Sequence, residues 1–204
     1  MLSRRTRIAV LVSGGGTNLQ ALLDAGLQNG EIVLVLSSNP NAYALERARR
    51  AGIPAKAVSR KDCAGQAEFE ERLEAALREA GAELLVLAGF LSILSKAFVA
   101  KYPKRILNVH PSLIPSFCGQ GFYGLRVHEA ALARGVKLTG ATVHYVNEIP
   151  DGGEILLQKA VPVEPGDTPE ALQRRVMEQA EWLLLPRATE LAAARLREEH
   201  DERL

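Results

Sequence analysis

Residues 7–38 read RIAVLVSGGGTNLQALLDAGLQNGEIVLVLSS, an order of apolar run, glycine loop, amphipathic segment and second apolar run that specifies the architecture. Ile8 to Val12 carries no polar break, which suits a strand covered on both faces. TNLQALLDAGLQNG reads as a helix and EIVLVLSS as a second buried strand. Such a series implies a right-handed βαβ unit. Further along, ELLVLAGF and RILNVH repeat the strand pattern, while AYALERARRAG, AEFEERLEAALREAG and SKAFVAKYPKR read as helices, several ended by glycine. The expectation is an α/β protein with a doubly wound, mostly parallel sheet.

After residue 125 the pattern changes. LRVHEAALARG reads as a helix, and KLTGATVHYV and GEILLQKAVPV alternate like an antiparallel strand pair joined by NEIPDGG. A long C-terminal helix opens at DTPE, where Asp167 or Thr168 can cap and Pro169 suits the first turn. Pro186 is expected to end or kink it. No repeat or linker interrupts the chain, so residues 1–204 read as a single domain.

The bulk numbers narrow the function classes. Apolar residues make up 47% of the chain and charged ones 24%, with a formal net charge of +1. That balance is ordinary for a globular protein and offers no field to attract nucleic acid or a membrane surface. Small-molecule partners are expected. Cys63 and Cys118 stand apart without zinc-ligand spacing, which points to a reduced, cytoplasmic home and no metal. No apolar stretch is long enough to span a bilayer, and the first apolar run leads into glycines rather than a cleavage site.

Ligands of open α/β sheets gather at the carboxyl ends of the strands. Three loops lie there: SGGGTN, AGFLSIL and HPSLIPSFCGQG. In the first, backbone N–H groups of Gly14, Gly15, Gly16, Thr17 and Asn18 could bind a phosphate. The GxGxxG fingerprint is broken by Leu19, and no Gly-Lys-Ser/Thr follows. A simple tight turn, capped by Thr17 or Asn18, is the other reading.

Asn108 and His110 are two apart on one strand, so their side chains share a face. An amide beside an imidazole can stabilise a developing oxyanion; the other reading of His110 is a structural, hydrogen-bonded histidine at a strand end. Pro111 and Pro115 stiffen the loop behind them. Asp151, in the EIPDGG loop, could favour the charged form of a nearby histidine, or be a plain turn residue. His144 reads as a core or supporting residue, and His128, on a helix, as a surface one.

In order and spacing, AVLVSGGGTNLQAL, LVLAGFLSIL, NVHPSLIPSF, TGATVHYV, DGGEILLQ and RVMEQAEWLLLP together resemble the 10-formyltetrahydrofolate-dependent phosphoribosylglycinamide formyltransferases of purine synthesis. The resemblance implies a Rossmann-like formyltransferase fold and transfer of a formyl group from 10-formyltetrahydrofolate, without metal, to the amine of 5-phosphoribosylglycinamide. It implies catalytic roles for Asn108, His110 and Asp151. It also implies phosphate binding at Gly16, Thr17 and Asn18, supported by Gly14 and Gly15, and a substrate contact from Glu181, five residues before Pro186. Leu91, Ser92, Ile93 and Leu94, with Asn108, would neighbour the folate. A monomer or a homodimer fits equally.

Three positions depart from the family pattern. Arg126 stands where many members have a histidine, Ser92 replaces a frequent arginine, and Gln66 lies where a basic residue is common. A formyltetrahydrofolate deformylase shares the catalytic trio but usually carries an extra N-terminal domain. A methionyl-tRNA formyltransferase needs an extra C-terminal domain and a basic surface. A non-catalytic phosphate-binding protein would need the glycine loop but neither His110 nor Asp151. A dinucleotide oxidoreductase is disfavoured by the broken fingerprint and by the lack of an acidic residue after EIVLVLSSN.

Overall fold

The computed structural model describes residues 4–202. Five parallel strands, β1 (Thr6–Val12), β2 (Gly30–Ser37), β3 (Ala55–Ala57), β4 (Leu84–Leu87) and β5 (Ile106–His110), are followed by antiparallel β6 (Leu138–Tyr145) and β7 (Ile155–Pro162). Their order, β3-β2-β1-β4-β5-β6-β7, winds outward in both directions from the β1/β4 pair. That pair is the topological switch point, where a ligand crevice is expected at the carboxyl ends.

Alternate residues of β1 feed two cores. Ile8, Val10 and Val12 pack with Leu19 and Leu22 of α1 (Thr17–Asp24), Ala44 and Ala48 of α2 (Tyr43–Arg50), and the C-terminal helices. Ala9 and Leu11 pack with Phe69, Leu73 and Leu77 of α3 (Gln66–Glu79) and Phe98 of α4 (Lys96–Val99). Each fully buried leucine or phenylalanine of this kind stabilises the fold by about 1.5–3 kcal/mol. The unbroken apolar runs are therefore strands buried on both faces, as their composition implies.

Several local readings differ from the structure. β3 escapes notice because its three residues, AKA, form a short and mostly exposed edge with no apolar pattern. The helix expected over SKAFVAKYPKR shrinks to the single turn of α4, since Pro103 biases Tyr102 away from helical geometry. Thr168 does cap: its hydroxyl accepts from the Ala171 N–H at 3.2 Å, with Pro169 opening α6 (Pro169–Val176). Pro186, however, does not end the helix. A π turn (Met177–Glu181) follows α6, and α7 (Trp182–Asp201) continues through the proline. Buried Leu185, Pro186, Ala188, Thr189, Ala192 and Ala193 hold α7 against the sheet, and this packing outweighs the proline's cost of about 3 kcal/mol.

His128 is the clearest correction. On α5 (Leu125–Arg134) it joins Val127 and Ala131 in the inward stripe, is 0% exposed, and neither ring nitrogen has a hydrogen-bond partner among the described residues. Burial, reinforced by repulsion from His110, lowers its pKa from 6.5 to about 4. Between these values the unfolded chain holds the proton and the folded one does not, so stability is full above pH 6.5 and falls with acidification to about pH 4. Urea titrations should lose on the order of 3 kcal/mol across this window. A His128→Leu variant should lack that step; parallel pH profiles for the two proteins would contradict a buried neutral His128.

Candidate active site

The glycine loop leaves β1 at the switch point. Gly16 caps α1 in the left-handed region, with φ 74°, and a Cβ there would lie 2.6 Å from that of Ala44. Glycine is thus required both by the turn and by the close approach of α2. Arg47 of α2 braces the loop by donating from Nε to the Gly15 carbonyl at 2.8 Å. Because the cap is Gly16 rather than Thr17 or Asn18, no side-chain cap bonds the first turn of α1 among the described residues. Its N–H groups are open to an anion, with the helix dipole behind them.

Asn18 faces inward. Its Nδ2 donates to Glu181 Oε2 at 2.7 Å, while its Oδ1 is buried without a partner among the described residues. Glu181 closes the π turn and is 6% exposed; burial pushes its carboxyl pKa up, against the opposing pull of the Asn18 hydrogen bond. Two candidates from opposite ends of the chain thus meet in one contact.

The loop after β4 borders the same crevice. Leu91 donates its N–H to Ser13 Oγ at 2.9 Å, and that hydroxyl also meets Ser38 Oγ at 2.7 Å. Gln66 Nε2 holds the Ile93 carbonyl at 3.0 Å, and Glu70 accepts from the Ser95 N–H and hydroxyl at 2.6 Å each. Leu91 and Ile93 expose large apolar side chains, whereas Ser92 is half-buried and Leu94 packs toward the core. Gln66 is thus a brace of this loop. Ser13→Ala removes the tie between the glycine loop and Leu91 and should raise the KM for a ligand bound there by about fivefold, the worth of roughly 1 kcal/mol of hydrogen bonding. Steady-state kinetics with an unchanged KM would show that Ser13 does not set the loop.

At the end of β5 the expected trio meets. Asn108 and His110 project to one face of the strand, opposite His144 and Thr142 of β6. Asp151 stands between two imidazoles: Oδ2 lies 3.5 Å from His110 Nδ1 and Oδ1 lies 3.5 Å from His144 Nε2. Oδ2 also accepts the Gly119 N–H at 2.8 Å, and His110 Nε2 lies 2.9 Å from the Phe117 carbonyl. Burial alone would raise the Asp151 pKa; the contacts around it, the Gly119 N–H and the His110 imidazole among them, hold it below 3.8. Asp151 reaches this position because the loop turns sharply: its own φ is 54°, and a Cβ on Gly153 would lie only 1.7 Å from the Tyr145 carbonyl.

The partners of the trio are not legible in the sequence. His144 is 1% exposed and touches both Asn108 and Asp151. Its period-two position in TGATVHYV places it with Thr142, but only the β5/β6 register shows what it faces. The 117–124 loop, with Phe117 at φ 50°, supplies the carbonyl and N–H that meet His110 and Asp151. Arg126 instead lies over the Tyr123 ring at 5.0 Å. A cleft of about 280 Å³ opens beside Val99, Lys104, Tyr145, Asn147 and Glu154, and none of the expected site residues lines it. Among the described residues, no His, Cys, Asp and Glu side chains gather as metal ligands, and no helix is long and apolar enough to cross a membrane.

A buried carboxylate, two imidazoles and an amide at the carboxyl edge of a doubly wound sheet can stabilise an oxyanion and move a proton, the equipment of an enzyme that transfers an acyl-type group. The family model described as formyl transferase matches residues 6–189. This chain belongs to the formyl transferase family. It is 44% identical over 195 residues to the trifunctional purine biosynthetic protein adenosine-3 of Gallus gallus, covering 94% of this chain and 19% of that one. The chain therefore spans about a fifth of that relative's length. It is 39% identical over 183 residues to the phosphoribosylglycinamide formyltransferase of Haemophilus influenzae, covering 88% of this chain and 84% of the relative. The crystal structure of glycinamide ribonucleotide transformylase 1 from Symbiobacterium toebii superposes with a TM-score of 0.87 at 42% identity, over 93% of this chain and 88% of that one.

Proposed function

We propose that this protein is a phosphoribosylglycinamide formyltransferase that takes its formyl group from 10-formyltetrahydrofolate. The observation that carries the reading is the cluster around Asp151, set beside a helix terminus open to a phosphate. The substrate phosphate sits on the N–H groups of Gly16, Thr17 and Asn18, supported by Gly14 and Gly15, and Glu181 contacts the glycinamide. Leu91, Ser92, Ile93 and Leu94 border the folate. The neutral substrate amine attacks the formyl carbon, and Asn108 donates to the oxyanion that forms. Both ring nitrogens of His110 already face acceptors, Phe117 O and Asp151 Oδ2, a setting that suits an imidazolium contributing positive charge beside the oxyanion. Asp151, ionised, takes the amine's proton through water and returns it to N10 as the C–N10 bond breaks. No metal or covalent enzyme intermediate enters this scheme.

The free thiols of Cys63 and Cys118 suit a cytosolic home, and residues 1–204 act as one domain, as a monomer or a homodimer. The test is absorbance of a formyl-deazafolate donor with and without 5-phosphoribosylglycinamide. Signal only with the glycinamide supports the transferase. Formate released without it moves the protein to the deformylase reading, and silence in both leaves a phosphate-binding protein.

A further inference from the structure

The hydrogen-bonding groups around Asp151 cannot all be satisfied in one arbitrary protonation state, and that restriction identifies a role for His144. Its Nδ1 lies 2.9 Å from the Tyr145 carbonyl, which only accepts, so Nδ1 carries the hydrogen. Its Nε2 lies 3.3 Å from Asn108 Nδ2 and 3.5 Å from Asp151 Oδ1. Facing an amide NH₂, Nε2 must be a bare lone pair; facing a carboxylate, it must be an N–H. It cannot be both.

His110 has no such conflict, because the groups nearest its two nitrogens, Phe117 O and Asp151 Oδ2, are both acceptors. Asp151 offers a single negative charge to two imidazoles that are 4% and 1% exposed, and two buried cations beside it would leave one uncompensated. The donor and acceptor pattern gives the imidazolium to His110. His144 is then the neutral Nδ1–H tautomer, whose lone pair accepts from Asn108.

We propose that His144 is a positioning residue for Asn108: its Nε2 lone pair takes one Nδ2 hydrogen of the amide, fixes which end of the amide faces the site, and leaves the second Nδ2 hydrogen free for the oxyanion. The inference rests on the role of Asn108 put forward above. It also explains why a buried histidine stands opposite Asn108 in the β5/β6 register. An apolar residue there would leave the amide free to turn its oxygen toward the reaction, exchanging a donor for an acceptor.

The test combines kinetics with a direct reading of the tautomer. His144→Phe keeps the ring's bulk without the acceptor, and His144→Gln restores an acceptor near the same place. His144→Phe should lower kcat about tenfold to a hundredfold, with KM for both substrates changed less than about twofold, and His144→Gln should recover most of the loss. On an Asn108→Ala background the same His144→Phe change should cost nothing further. Nitrogen-15 NMR of the wild-type imidazoles should find Nε2 of His144 unprotonated. An equal loss on both backgrounds, or a protonated Nε2, overturns the inference. Wild-type protein with no formyl transfer would instead sink the functional reading, and the NMR result would still decide the His144 tautomer.

Discussion

Replacing His110 by alanine is expected to lower kcat for formyl transfer by about a thousandfold, within the usual range for a charged or proton-transferring group, while the folded variant still binds both ligands. The size of the effect follows from the neighbourhood. His110 is the charged partner of Asp151 in the proposed scheme, and nothing else on β5 can take its place, since Asn108 is neutral and Val109 points into the opposite core. Calorimetry with a non-reactive folate analogue separates the two functions, and near-normal turnover in a folded variant would refute the role. The pH profile adds a constraint. The Asp151 carboxyl is held below 3.8, so the stability its contacts contribute is fully present above that value and is lost only as the pH falls through its lower folded pKa. A fall in rate on acidification that begins above about pH 5 therefore belongs to another group, the substrate amine being one that must be neutral to attack.

Glu181→Gln is expected to do two opposite things: raise the KM for phosphoribosylglycinamide about tenfold, and raise the melting temperature at neutral pH by a few degrees. Glu181 is a carboxyl at 6% exposure whose one hydrogen-bond donor among the described residues is Asn18, and burial raises its pKa above 4.5. Above 4.5 the unfolded chain releases this proton while the folded one still holds it, so stability falls as the pH rises from there through the folded pKa. Glutamine keeps an oxygen for Asn18 and removes the buried charge. The stability gain should therefore grow with pH and vanish near pH 4.5, which thermal melts across that range will show. A variant no more stable than wild type at neutral pH would mean that Glu181 carries its charge there without penalty. A site that is costly when empty is the pattern expected of a residue kept for ligand binding rather than for folding.

Of the two residues replaced, His110 is legible from strand spacing, whereas Glu181 is reached only through resemblance. Spacing placed Asn108 and His110 on one face, but left Asp151 as an ordinary turn residue and Glu181 without a partner. Both gain their meaning from contacts across more than thirty residues of chain, Asp151 with Gly119 and Glu181 with Asn18.

Features set by short-range periodicity and stereochemistry are legible in the order of residues. Unbroken apolar runs specified strands buried on both faces, glycines and prolines marked turns and caps, Thr168 and Pro169 opened the last helix, and a period of two set Asn108 beside His110. Features that depend on which distant surfaces meet emerge only from the packed fold. The inward phase of α5 buried His128, packing along α7 carried the helix through Pro186, and edge pairing with β2 made a strand of Ala55–Ala57. The antiparallel register of β5 and β6, with Gly153 allowing the loop to close against Tyr145, set Asp151 between His110 and His144. Local propensity acts over a few residues, whereas a charge, a tautomer or a buried nitrogen is defined by neighbours that only the folded chain brings within about 4 Å.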